Sequence, residues 1–233
     1  IKARYIVGLT STPQRRDGHQ PIIHMQIGPI RFRVDPRSQS AQHPFEHRLV
    51  VRETGFDSPT QASDITIQTL YGLLVADEKR NEQIIDDVLL AMEEGRSPIL
   101  LTERKNHLEY LHQRLKGFVR HIVVLKGGQS RKERLKVQEQ LASIPAGEER
   151  LLLATGRYIG EGFDDARLDT LFLSLPVSWK GTLVQYAGRL HRLHPGKHEV
   201  QIIDYVDGKV PVLARMFERR LRGYRAMGYQ EKG

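Results

Sequence analysis

The chain has 233 residues, and its 36 Lys and Arg exceed 28 Asp and Glu to leave a formal charge of +8. That length suits one large domain or a domain and a half, and 39% hydrophobic residues against 27% charged ones supply a core and exclude wholesale disorder. Zero cysteines exclude a disulfide framework, a thiolate zinc site, an iron–sulfur cluster and a cysteine nucleophile. No apolar run approaches the roughly 20 residues that span a bilayer, and no signal peptide is recognisable. A cytoplasmic setting without membrane contact is therefore expected, associated with the nucleoid if the source is bacterial. Basic residues concentrate in 111–233, whereas 61–110 is net acidic. This asymmetry favours a polyanionic partner, nucleic acid or nucleotide; a solvated basic surface is the plain alternative, and charge alone does not separate the two.

In chain order, IKARYIVGLT (1–10) reads as a strand, and a chain that opens inside a strand reads as part of a longer protein. Two β-like runs, IIHMQIGPIRFRV (22–34) and HRLVVRETGF (47–56), flank the polar stretch DPRSQSAQHP (35–44), read as a linker. From about residue 78, helical patterns alternate with strand-length apolar runs, the signature of βαβ units and a parallel sheet. An amphipathic helix over 78–94 stops at Gly95 and leads into the strand PILLT (98–102). The next helix carries Leu108, Leu111 and Leu115 on one stripe and stops at Gly117. After the strand in RHIVVLKGG (120–128), Ser130 and Glu133 form a capping box for a helix reaching about Ala142. Strands follow in RLLLAT (150–155), LDTLFLSLP (168–176) and HEVQIIDYVD (198–207). Helices are expected over GTLVQYAGRLHR (181–192) and VLARMFERRLRGYRAMG (212–228). The implied fold is a doubly wound α/β structure with ligands beyond the C-terminal strand ends, in the loops after Thr102, Leu125, Thr155 and Pro176.

Two segments carry candidate chemistry. TGRYIGEGFDD (155–165) places Gly156, Gly160 and Gly162 beside Glu161, Asp164 and Asp165 after a strand. Glycines there let backbone amides approach a phosphate, and a carboxylate can accept from ribose hydroxyls; a tight turn is the plain alternative. On the helix after Pro176, Gln185, Gly188, Arg189 and Arg192 fall at i, i+3, i+4 and i+7 and so share one face. Two planar guanidiniums on one stripe suit phosphate oxygens, and the Gly-rich loop is expected at the same sheet edge. No G-x-x-x-x-G-K-[ST] cradle occurs, so these arginines would act on a nucleotide held elsewhere. His191, His194 and His198 lie within eight residues, but Pro195 and Gly196 break the helix between them and no metal site is expected from that spacing.

These residues match a known pattern. QYAGRLHR (185–192) fits motif VI, ATGRYIGEGFD (154–164) motif V, PILLTER (98–104) motif IV and GLTSTPQRRDG (8–18) motif III of superfamily 2 helicases and translocases. The chain resembles the second RecA-like domain of a DEAD/DEAH-type member, nearest the DNA-repair helicase and type I and III restriction-translocase branch. The resemblance implies a three-layer RecA-like fold of the P-loop NTPase type with a mainly parallel sheet. By it, residues 1–36 would be the tail of a first RecA-like domain, 37–60 a linker and first edge strand, and 61–233 the second domain. Arg189 and Arg192 would be catalytic arginine fingers toward ATP, with Gln185, Gly162 and Asp164 on the nucleotide side. Ser11 and Thr12 would couple hydrolysis to grip. Thr102, Arg104, Gly127, Gly128 and Thr155 would follow the backbone of one nucleic-acid strand, DNA in particular. ATP and Mg²⁺ would be held mainly by the upstream domain, so these residues alone would not hydrolyse ATP. The alternatives are a non-catalytic nucleic-acid-binding or interaction module on a RecA-like scaffold and, more remotely, a stand-alone nucleotide-binding α/β enzyme.

Overall fold

The computed structural model describes residues 4–10, 20–34, 43–58, 65–159, 164–177 and 180–231. Among them, seven strands form one sheet: β1 Glu46–Glu53, β2 Pro98–Thr102, β3 Ile122–Leu125, β4 Leu151–Thr155, β5 Thr170–Leu173, β6 Glu199–Val206 and β7 Gln230–Glu231. Their order is β3-β4-β2-β5-β6-β1-β7, and among the described residues neighbouring strands all pair parallel. The helices are α1 Gln20–Ile27, α2 Ile67–Ala76, α3 Glu78–Glu93, α4 Lys105–Leu115, α5 Arg131–Ser143, α6 Gly156–Ile159, α7 Lys180–Ala187 and α8 Pro211–Ala226.

Parallel strands need crossovers, which cover both faces of the sheet and make central strands apolar throughout. PILLT and LLLAT are accordingly buried at every position. Their side chains alternate between two cores. Ile99, Leu101, Leu152 and Ala154 pack with Val137 of α5, Leu183 and Tyr186 of α7 and Tyr224 of α8. Leu100, Leu151 and Leu153 pack with Ile84 and Val88 of α3 and Leu108 and Leu111 of α4. A third cluster joins Leu70 and Leu74 of α2 to Phe56, Leu175 and Val210, which follow β1, β5 and β6, so α2 closes that end of the sheet. The result is the three-layer RecA-like arrangement that the motif resemblance implied.

The local signals behave as their chemistry requires. The Ser130–Glu133 capping box forms, with Ser130 N donating to Glu133 Oε2 at 2.7 Å. Gly95 and Gly117 end their helices at φ +73° and +97°, a conformation that costs other residues a Cβ clash.

Three expectations are corrected. Residues 4–10 carry no strand. The run read as β over 22–34 begins as α1, because Pro21 suits the first helical turn and Gly28, at φ +81°, accepts the left-handed closure. Helix α2 was not read from the sequence at all; the Thr66 hydroxyl caps it by accepting from Thr69 N at 3.2 Å. That helix is nearly all apolar and so shows little of the face-to-face contrast on which periodicity depends.

One buried ion pair joins the layers. The Arg80 and Asp207 side chains are both 0% exposed, and Arg80 Nε donates to Asp207 Oδ1 at 2.8 Å. Arg80 Nη1 also donates to Ser174 O at 2.7 Å, and the Thr54 hydroxyl donates to Asp207 Oδ1 at 2.6 Å. Removing one partner leaves the other charge buried without compensation, so Arg80→Ala is expected to cost about 3–5 kcal/mol, read by urea denaturation. A loss below about 1 kcal/mol would mean that this latch is dispensable.

A second buried polar group carries a pH signature. His107 lies 3.1 Å by Nδ1 from the Thr102 hydroxyl and 2.9 Å by Nε2 from Asn81 Oδ1. Burial, then the neighbouring Arg80 charge, lowers its pKa to about 3. Between that value and about 6.5, the unfolded chain takes up a proton that the folded chain refuses, so stability falls as pH falls through this window. From neutral pH to pH 5 the contribution lost is about 2 kcal/mol. His107→Gln should therefore lose stability less steeply over that range, measured by urea denaturation at each pH.

Candidate functional site

The candidate residues fall into two groups at opposite ends of the strands. At the C-terminal ends, Thr102 and Thr155 are register partners on β2 and β4. Gly127 N donates to Thr155 Oγ1 at 2.9 Å, which pins the turn after β3 to the end of β4, and Gly128 takes φ +83° within that turn. Both threonine side chains belong to buried residues and serve internal bonds, since Arg104 N also donates to Thr102 Oγ1 at 3.3 Å. The Arg104 guanidinium reaches back to α2 instead, donating to Gln68 O at 2.7 Å and Gln68 Oε1 at 2.8 Å.

Two residues that sequence reasoning missed, Glu103 and Tyr186, meet the already noted Gly156 at this end. The Tyr186 hydroxyl donates to Glu103 Oε1 at 3.0 Å, and burial, followed by the Glu103 charge, pushes the phenol pKa well up. Gly156 sits where a Cβ would run into both the Tyr186 hydroxyl and the Glu103 carboxylate. Motifs IV, V and VI thus meet at one contact among Glu103, Gly156 and Tyr186. The signal in the sequence was Gly156 directly after a buried strand, but its partners lie 53 and 30 positions away along the chain.

The arginines lie elsewhere. The expected helix over 181–192 ends at Ala187, and the bonds then shorten by one residue: Arg189 N donates to Tyr186 O, Leu190 N to Ala187 O and His191 N to Gly188 O. Arg189 therefore stands on a tight turn of period three and Arg192 just beyond its last bond, so the α-helical spacing used to align them with Gln185 does not hold past Gly188. Gln185 remains on α7 and is half-buried. Arg192 Nε donates to Asp164 Oδ1 at 2.9 Å, with side-chain exposures of 59% and 49%. An ion pair this exposed contributes about 0–1 kcal/mol to stability, so its importance is positional.

Lys197 secures the turn. Its ammonium donates to Leu190 O at 3.0 Å, Arg192 O at 2.8 Å and Ala166 O at 2.8 Å. Burial brings its pKa down to about 8, against the opposing pull of Asp169 and Asp165. Asp165, next to Asp164, is paired with Arg150, the residue before β4. Asp164 and Arg192 consequently lie toward the N-terminal ends of the strands. The loop carboxylate and the arginine thus meet as expected, but toward the N-terminal ends of the strands and not beyond their C-terminal ends. Ser11, Thr12, Gly160, Glu161 and Gly162 lie outside the described residues.

Residues 79–194 match the helicase conserved C-terminal domain. The chain is 25% identical over 211 residues to a protein named probable helicase D10 of Escherichia phage T5, covering 88% of this chain and 43% of that protein. Among solved structures, T4 UvsW superposes at a TM-score of 0.62 with 17% identity, over 81% of this chain and 41% of that one. S. cerevisiae Dbp5, bound to RNA and ADP BeF3, gives 0.55 with 12% identity, over 91% and 48%. The chain thus spans less than half the length of each. It carries a helicase C-terminal domain on the RecA-like fold of superfamily 2.

Gly156→Ala is expected to destabilise the domain by about 1–3 kcal/mol through overpacking. In the Tyr186→Phe background the same substitution should cost less, because removing the hydroxyl opens the space that the new methyl needs. Denaturation of the four proteins of this cycle measures the difference, and strictly additive losses would show that the three-way contact carries no such constraint.

Proposed function

We propose that the chain is the C-terminal motor domain of an ATP-dependent helicase or translocase acting on nucleic acid, DNA in particular. In this reading residues 1–36 are the tail of an upstream RecA-like domain, 37–60 a linker and first edge strand, and 61–233 the second domain. The observation that carries it is the Arg189–Arg192 turn, which Lys197 holds at two of its carbonyls, Leu190 O and Arg192 O, while also binding Ala166 O, and which leaves the Arg192 guanidinium largely in solvent with an exchangeable carboxylate partner. A planar, permanent cation so placed suits a phosphate presented by another domain.

The described residues supply contacts to a nucleotide and no cradle for one. Bound ATP, with Mg²⁺ on the upstream domain, would supply the phosphoanhydride whose hydrolysis drives the motor. Arg192 and Arg189 would stabilise charge on the transferred phosphoryl group, while Gln185, Gly162 and Asp164 line the nucleotide side. Asp164 would hold Arg192 in place until phosphate competes for it. Ser11 and Thr12 would couple the two domains. At the far end of the strands, the turn of Gly127 and Gly128, which the Gly127 amide pins to Thr155 Oγ1, would lie along one strand's phosphates with Thr102, Arg104 and Thr155 shaping the edge, where basic and backbone donors grip without reading sequence. The preference for DNA rests on the likeness of the motifs to the DNA-repair and restriction-translocase branch.

The test is nucleic-acid-stimulated ATP hydrolysis by the longer protein carrying the upstream domain, beside these 233 residues alone. Turnover is expected only in the longer protein, stimulated more by DNA than by RNA. Arg192→Ala should lower it by about 10³–10⁵, as for other arginine fingers, while changing the stability of the domain by less than about 1 kcal/mol. Unchanged turnover in Arg192→Ala would remove Arg192 from the role, and turnover by the 233 residues alone would overturn the split site.

A further inference from the structure

Three histidines far apart in the sequence converge beside the arginine turn. His43 precedes β1, His47 lies within it, and His191 sits between Arg189 and Arg192. One ring nitrogen from each lies within 4.8 Å of the others, and the ring centroids are 4.9–5.4 Å apart. His43 Nδ1 and His47 Nε2 are separated by 3.4 Å. That is long for a hydrogen bond, but two imidazole nitrogens on one tetrahedral Zn²⁺ stand about 3.3 Å apart, given Zn–N bonds of about 2.0–2.1 Å. A small rotation of the half-buried His43 ring would draw the longer separations in.

The surroundings favour neutral, oriented imidazoles. His191 Nε2 shares a hydrogen bond with the Tyr229 hydroxyl at 3.0 Å, the kind of outer contact that orients a metal-bound histidine and leaves its Nδ1 for the ion. Burial, ahead of repulsion among the rings, lowers the pKa of His47 to about 4 and of His191 to about 3, so both offer lone pairs at neutral pH. Among the described residues no carboxylate joins the set, and the Lys197 charge acts on His191. An all-nitrogen donor set selects borderline transition ions such as Zn²⁺ over Mg²⁺ or Ca²⁺, which take oxygen ligands.

We propose that His43, His47 and His191 form a transition-metal site of the zinc class that staples the segment entering β1 to the arginine-bearing turn. Three protein ligands leave a fourth position for water. Because His191 is flanked by both arginines, metal occupancy would fix the turn against the strand. The spacing of His191, His194 and His198 pointed away from a metal; the fold replaces the latter two with histidines from another segment.

The test uses the untagged 233-residue chain after chelator treatment. Calorimetric titration with Zn²⁺ should saturate at one ion per chain, and Co²⁺ should give the visible absorption of a four-coordinate complex. His43→Gln and His47→Gln should each weaken Zn²⁺ binding at least tenfold, while His194→Gln, in the same loop as His191 but outside the cluster, should leave it unchanged. Zn²⁺ should raise the melting temperature of the wild type and of His194→Gln but not of His43→Gln, whose metal-free melting checks that it folds. No saturable binding, or binding that His43→Gln and His47→Gln retain in full, would overturn the proposal. Equal weakening in His194→Gln would overturn it too.

Discussion

A guanidinium and a carboxylate with no exposure to water, Arg80 and Asp207, set the conditions for the rest of the structure. Two buried charges are tolerable only when each is paired and the remaining donors are satisfied. Arg80 meets that demand by reaching Ser174 O after β5, and Asp207 by accepting from Thr54 after β1. A single ion pair therefore aligns α3 with the ends of three strands. Nearby, the buried Asp204 carboxylate accepts from Arg220 Nε at 2.6 Å and from the Tyr224 hydroxyl at 2.7 Å, which binds β6 to α8 in the same way. Apolar packing on the two sheet faces is non-directional; these polar clusters supply direction, and with it the geometry of the C-terminal edge.

On that frame, α7 connects two clusters of different character. Its buried Tyr186 meets Glu103 and Gly156 near the ends of β2 and β4, while beyond its last turn Lys197 clamps the segment that carries Arg189 and Arg192. Both attachments fall at the C-terminal end of α7, so the strand edge and the arginine turn are linked through a short stretch of packed chain from Tyr186 to Arg192. The histidine cluster adds a third attachment, from β1 to the same turn. The turn is thus fixed by its neighbours, since its own backbone leaves the α-helical pattern after Gly188.

Much of the fold was legible because local chemistry decides it. The buried strands announced themselves as continuous apolar runs, the capping box at Ser130 and Glu133 marked a helix start, and Gly95 and Gly117 marked helix ends. The errors have equally physical causes. The β-branched run at 22–34 looked like a strand but lay between a proline and a glycine that suit a helix, and α2 was too uniformly apolar to show a period.

What the sequence by itself determined was the run of strands β2 to β6 with most of the helices between them, their parallel stacking and the segments that carry arginine and glycine, since each depends on neighbours within a few residues. What only the tertiary structure decided was which of those segments meet. Arg192 faces Asp164 and not the threonine edge, Tyr186 finds Glu103, and His191 finds His43 and His47 in place of His194 and His198. Such meetings depend on strand order and on where a helix stops. Both are set by burial and pairing across more than a hundred positions of chain, which no local pattern encodes.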